Sequence, residues 1–301
     1  MTTATDVPLW FRDAVATCPD RSSLTVDGAR VAYRTWGDPG SPGLLLVHGG
    51  AAHAGWWDHI APRYARDRRV VALDLSGHGD SEWRNTYSFR TWADEIAAVA
   101  RAAGAERDAV LVGHSLGGLA GIEASRRHPD LVGDLMLIDS RLIDAENLDR
   151  IRADAAENGI PRASRHYPTI DAAIQRYRLV PDHPSLDYVR AHVARQSVVE
   201  DDHGWRWKFD RGFADDLLDL PPMPPSTCRL TVVHGERGVM TAEMARRVSA
   251  GLESPARIVE LPGAGHHIPL EKPLELMDVI DDALTYRPGP IRSGHPDPDR
   301  D

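Results

Sequence analysis

Short, almost purely apolar runs recur along the chain at 44–47, 70–75, 109–112, 135–138, 230–233 and 258–261. Runs of four to six residues without polar alternation are what parallel strands covered on both faces require. Between them, 92–103 and 116–127 place apolar residues at three- and four-residue steps, the spacing of amphipathic helices. Strand and helix therefore alternate, which predicts an α/β chain with a mostly parallel central sheet flanked by helices. Ahead of this series, 23–26 and 30–36 flank Asp27-Gly28 and predict a hairpin. Residues 1–20 read as a leader with one amphipathic stretch around Leu9, Trp10 and Phe11.

The rhythm breaks at Arg141. For about eighty residues no buried strand is legible, only amphipathic helical pieces at 145–158, 170–179 and 186–199, punctuated by Pro161, Pro168, Pro181 and Pro184. Aromatic residues follow at Trp205, Trp207 and Phe213, then the stiff stretch Pro221-Pro222-Met223-Pro224-Pro225. The organisation predicted is a core from 1–140 and 221–286, a helical insertion at 141–220, and a disordered tail over 287–301.

Candidate chemistry sits at the ends of the apolar runs. Gly113-His114-Ser115-Leu116-Gly117 lies between a strand and a helix, the context in which a serine becomes an exposed nucleophile at a strained turn. The Leu116 amide then opens a helix and can face a developing oxyanion. His48-Gly49-Gly50 leaves the 44–47 run as a glycine-rich loop, where the Gly50 amide, or failing that Ala51, can supply a second donor. Gly265-His266-His267 leaves the last run and supplies a base, His266, with His267 as the alternative.

These pieces, together with Asp74-Leu75-Ser76-Gly77-His78-Gly79-Asp80-Ser81 and Glu271-Lys272-Pro273, stand in an order that resembles the α/β-hydrolase superfamily over about 23–139 and 226–286. The resemblance implies the α/β-hydrolase fold and makes the 141–220 insertion a helical cap over the serine. It also implies a triad with His266 directly after Gly265, and structural roles for His78, His114 and His234. In most relatives the acid follows the core strand after the cap, in a pattern like Gly-x-x-Asp. Here that segment reads Gly235-Glu236-Arg237-Gly238, and a glycine stands where the acid should be. Some members, several dehalogenases and zearalenone-type lactonases among them, carry the acid after the sixth strand instead. Asp139 ends that strand here, 24 residues after Ser115. Asp139 is thus the candidate acid, with Glu236 as the alternative and Asp144 behind them.

A serine with two amide donors suits attack on a carbonyl carbon and an acyl-enzyme intermediate. The first expectation is a carboxylic-ester or lactone hydrolase acting on a small molecule. The alternatives are C–C bond hydrolysis of a diketone-type substrate and a non-hydrolytic ligand-binding relative, which Gly238 would suit. Trp56, Trp57 and Trp205 are candidates for the pocket wall, although core packing explains the first two equally well. No cofactor is expected and no metal, since His53 and His59 have no carboxylate or cysteine company.

Composition narrows the partners. A net charge of −10 argues against nucleic acid, and no apolar run reaches the length of a membrane span. Cys18 and Cys228 are far apart and read as reduced thiols. With no signal-like apolar segment at the start, the expected location is the cytoplasm. The sequence leaves the oligomeric state open.

Overall fold

Side chains alternate between two faces along every central strand, and that alternation sorts the core into two layers. The computed structural model of the chain describes residues 7–141, 165–214, 225 and 228–285. The strands of its main sheet are β1 (Asp20–Val26), β2 (Ala29–Trp36), β3 (Gly43–Val47), β4 (Arg69–Leu73), β5 (Val110–His114) and β6 (Asp134–Ile138). After a separate hairpin, β7 (Val198–Asp201) and β8 (Gly204–Trp207), come β9 (Arg229–Gly235) and β10 (Arg257–Leu261). The eight strands of the main sheet lie in the order β1-β2-β4-β3-β5-β6-β9-β10. β1 and β2 are antiparallel, as are β2 and β4; every later pairing is parallel. The predicted hairpin turns at Asp27 and Gly28, with φ of 45° and 78°.

The helices are α1 (Leu9–Ala16), α2 (Phe89–Ala102), α3 (Leu116–Arg127), α4 (Ile170–Ile174), α5 (Asp187–Gln196), α6 (Ala242–Ala250), α7 (Ile268–Glu271) and α8 (Pro273–Thr285). Leu45, Val47, Val71, Leu73, Leu111, Leu135 and Leu137 face one layer, closed by α2, α3 and α6. Leu44, Leu46, Val70, Ala72, Val112, Met136 and Ile138 face the other, closed by α1, α5, α7 and α8. Each leucine so enclosed contributes about 1.5–3 kcal/mol relative to exposure. Ser88 starts α2 by accepting the Thr91 amide at 3.0 Å, and Thr241 starts α6 by accepting that of Met244 at 3.2 Å. Caps of this kind are worth about 1 kcal/mol each.

The inserted region departs from its all-helical expectation. α4 stops at Ile174 and α5 at Gln196, after which β7 and β8 form the antiparallel hairpin. Val198 and Val199 are β-branched, and Gly204 takes a φ of 111° that other residues rarely adopt. The strands have four residues each and are mostly half-buried, so no continuous apolar run announces them. Tyr167 extends the pair through reciprocal backbone hydrogen bonds of 2.8 Å with Trp205. The helix expected at 145–158, the residues Pro221 to Pro224 and the tail at 287–301 lie outside the described residues.

Both the N-terminal helix and the insertion are seated on the core by specific contacts. Phe11 of α1 is buried, with ring centroids 4.9 Å from Tyr188 and 5.8 Å from His192. Arg34 on β2 donates through one terminal nitrogen to both oxygens of Asp58 at 2.6 and 2.7 Å. From α5, Gln196 donates to the same carboxylate at 2.8 Å, and the His192 ring nitrogen lies 3.1 Å from it. Burial pushes the Asp58 carboxyl up, but His192, Arg34 and Gln196 outweigh it and hold the group well below its usual range. No helix among the described residues is long and apolar enough to cross a membrane.

Candidate active site

Ser115 joins β5 to α3 with φ 52° and ψ −116°, a backbone region that costs a residue with a side chain about 1–3 kcal/mol. The reversal closes tightly because its flanks are glycine. A Cβ on Gly113 would lie 2.6 Å from the Cα of Gly118. The Ser115 amide donates to the Ile138 carbonyl at 2.9 Å, which fixes the turn against the end of β6. The Gly118 and Leu119 amides donate to the Ser115 carbonyl, as the first turn of a helix should. Leu116 is the first residue of α3, where a helix leaves amides without internal partners.

One residue beyond β6, Asp139 also takes a left-handed conformation, φ 44°, and its amide donates to Val233 at 2.8 Å. Its side chain is fully buried. Oδ2 accepts from the Val239 amide at 2.8 Å and lies 2.7 Å from His266 Nδ1. Oδ1 accepts from the amides of Met240 at 3.2 Å and Gly235 at 3.4 Å. An ionised carboxylate only accepts, so Nδ1 of His266 carries the proton and Nε2 keeps its lone pair. Gly238 completes the arrangement: a Cβ there would overlap Asp139 Oδ1.

The loop bearing His266 is bracketed by one buried carboxylate. Glu271 accepts from the Gly265 amide at 2.5 Å and from the His267 amide at 2.8 Å. From the other side, the Nε2–H of His114 donates to the His266 carbonyl at 2.9 Å, tying the residue before Ser115 to the candidate base. His114 is held well below its usual pKa by burial and by the nearby His266 and His267. Burial lowers His267 to about 4. His267 lies against Trp56 and His114, with centroids 5.7 and 6.0 Å apart.

At the opposite side of the elbow, His48 pins the glycine loop. Nδ1–H donates to the Gly49 carbonyl at 2.7 Å, and Nε2 accepts from the Leu75 amide at 3.1 Å. Gly49 is packed so closely that a Cβ would come within 3.3 Å of Ser115 Cβ, whereas Gly50 is exposed. Gly50 meets Phe213: a Cβ on the glycine would lie 3.1 Å from the ring's Cζ and 3.9 Å from Leu116 Cδ2.

Ser115, Asp139 and His266, and the candidate donors Gly50 and Leu116, thus lie at the C-terminal edge of the parallel strands, where such sheets bind ligands. Glu236 does not join them. It is exposed, and its carboxylate accepts from the Gly263 amide at 2.7 Å. Asp144 lies outside the described residues. Trp57 is fully buried in the core, while Trp56 stacks on His114 at 5.8 Å. Trp205 is not brought to the elbow by its contacts; it packs on the small cluster of Tyr167, Ala173 and Val198 within the insertion. His53 and His59 go to structural partners, the Ser197 hydroxyl at 2.9 Å and the Pro269 carbonyl at 2.8 Å.

Sequence spacing missed two things. One is the Glu271 bracket. The other is a trio, His114, His266 and His267, whose ring nitrogens lie within 4.8 Å of one another and could hold a metal ion. His114 and His266 are 152 positions apart, so no local motif announces the trio.

The sequence pattern that defines the alpha/beta hydrolase family matches residues 44–279. The chain belongs to that family. An esterase of Mycobacterium tuberculosis, Rv0045c, is 29% identical over 279 residues, covering 87% of this chain and 89% of that one. The 2-(acetamidomethylene)succinate hydrolase of Mesorhizobium japonicum is 27% identical over 258 residues, covering 82% and 89%. The crystal structure of an E-2-(acetamidomethylene)succinate hydrolase superposes with a TM-score of 0.74 at 23% identity, over 89% of this chain and all of that one. This alpha/beta hydrolase therefore shares its fold with that enzyme.

Proposed function

We propose that the protein is a serine hydrolase that cleaves a carboxylic ester or lactone of moderate size through an acyl-enzyme. The observation that carries this reading is the 2.7 Å contact between Asp139 Oδ2 and His266 Nδ1, made at the sheet edge that also presents the strained Ser115. With Nδ1 protonated, Nε2 of His266 takes the Ser115 proton as the hydroxyl attacks the carbonyl carbon. The Leu116 and Gly50 amides receive the oxyanion. His266 then returns the proton to the departing alkoxide, and water repeats the sequence to release the acid. Asp139 stays ionised and favours the imidazolium. No cofactor takes part.

The insertion acts in this reading as a cap that shapes the pocket, with Phe213 set against Gly50. Esterase and hydrolase relatives at 27–29% identity support the class without naming the substrate. One of them is named for an acetamido compound, so an amide carbonyl is the second reading. Cys18 and Cys228 are free thiols, which suits a reducing compartment, and a cytoplasmic location belongs to the proposal.

The test is hydrolysis of p-nitrophenyl acetate and butyrate by wild type and Ser115→Ala, with a fluorophosphonate probe in parallel. Turnover and labelling that both vanish in the variant support the reading. Turnover that survives in Ser115→Ala overturns it.

A further inference from the structure

We propose that Phe213 sets the size limit for the acyl group, an inference that rests on the ester-hydrolase reading above. Two stereochemical demands locate the acyl side. The leaving oxygen must face Nε2 of His266 to receive its proton, and the carbonyl oxygen must face the amides of Gly50 and Leu116. The acyl chain is left with the direction away from His266. The histidine side is walled by Trp56, His114 and His267. The other side is walled by Phe213, whose Cζ and Cε2 would stand 3.1 and 3.3 Å from a Cβ on Gly50. Its ring centroid is 4.5 Å from that of buried His78.

The ring is braced, which is why it can impose a limit. Asp210 donates its amide to the Gly77 carbonyl at 2.8 Å and accepts from the Tyr87 hydroxyl at 2.7 Å. The other carboxylate oxygen of Asp210 accepts from the Gly212 amide at 2.9 Å, and its carbonyl accepts from the Phe213 amide at 3.3 Å. Phe209 pairs as an isolated bridge with His78. The segment 209–213 is therefore fastened to the turn after β4, and the ring inherits that fixed position.

The experiment measures kcat/KM for p-nitrophenyl acetate, butyrate, hexanoate and octanoate with wild type, Phe213→Ala, Phe213→Leu and Tyr87→Phe. In parallel, Ser115 is labelled by fluorophosphonates bearing a methyl or an octyl group on phosphorus. Phe213→Ala is expected to raise the hexanoate-to-acetate ratio about tenfold or more, the discrimination of a few methylenes in an apolar pocket. Phe213→Leu should follow to a lesser degree, and Tyr87→Phe, which frees the brace, should broaden the profile. The octyl probe should gain on the methyl probe in the same order, which reads the pocket even where ester turnover is slow. Unchanged profiles in both Phe213 variants, with Ser115 labelled normally, overturn the inference and leave the hydrolase reading standing. Absence of any labelling of Ser115 overturns both.

Discussion

Gly238 and Asp139 compete for one space: a Cβ on the glycine would overlap the carboxylate oxygen of the aspartate. The departure from the family pattern that made the triad look incomplete in the sequence thus has a steric counterpart. Position 238 is empty because a carboxylate arriving from β6 fills the place a side chain there would take. Asp139→Asn should lower kcat on a p-nitrophenyl ester by about 10⁴. Gly238→Ala should lower it by displacing the same carboxylate. The double variant Asp139→Gly with Gly238→Asp should recover part of what Asp139→Gly loses, since a side chain at 238 would enter the space the Asp139 carboxylate now fills. No recovery would show that the shared space is not functionally equivalent.

Ser115→Ala should remove turnover, by about 10⁶ if the triad acts as a unit, while the protein stays folded. Ser115→Gly relieves the left-handed backbone at the elbow, φ 52°. It should therefore melt no lower than Ser115→Ala. Differential scanning fluorimetry separates the outcomes, and a markedly less stable glycine variant would refute the strain argument.

Asp58 is the buried acceptor that holds α5 to β2 through Arg34, His192 and Gln196. Its folded pKa lies below the ordinary 3.8. The stabilisation it gives is therefore complete above that value and is lost as pH falls through the folded pKa. Asp58→Asn should remove this part of the acid dependence. It should also cost about 3–5 kcal/mol at neutral pH by leaving Arg34 buried without its partner. Melting curves of both proteins between neutral and strongly acid pH test the sign, and identical acid slopes would contradict it.

The histidine trio predicts sensitivity to borderline metal ions. Burial lowers His114 and His267, so both are neutral at physiological pH and protons do not compete for them. Zn²⁺ should inhibit by engaging His266, EDTA should restore activity, and His267→Gln should weaken the inhibition about tenfold or more. Equal sensitivity of the variant would exclude His267 as a ligand.

What was legible in the sequence was local. The elbow at 113–117, the loop at 48–50 and the pair at 265–266 are contiguous, and their residue types are demanded by backbone geometry within a few positions. The sheet was legible for a related reason: strands buried on both faces must be apolar throughout. The acid was legible only as a candidate: strand end and spacing pointed to Asp139, but that its carboxylate fills the space beside Gly238 depends on residues far apart in the chain. The β7–β8 hairpin escaped because its half-buried strands carry mixed residues. Glu271 stood in the sequence only as part of the Glu271-Lys272-Pro273 segment, although its two oxygens fasten Gly265 and His267. Trp205, singled out by its aromatic character, packs within its own insertion. Phe213, weighed only as one member of an aromatic run, is the ring that meets Gly50.

The division of the core into two layers has a consequence for how the protein can change. The layer under α2, α3 and α6 touches the insertion through Phe213, whereas the opposite layer includes Leu179, Val189 and Val193 from the insertion itself. Pairs of core substitutions placed on opposite faces of the sheet share no side-chain partners and should be energetically additive. Away from Leu116 and Phe213, the first layer is thus ground on which the chain can drift or be engineered for robustness with little penalty to substrate choice. The second is where altered substrate choice and altered robustness must arrive together.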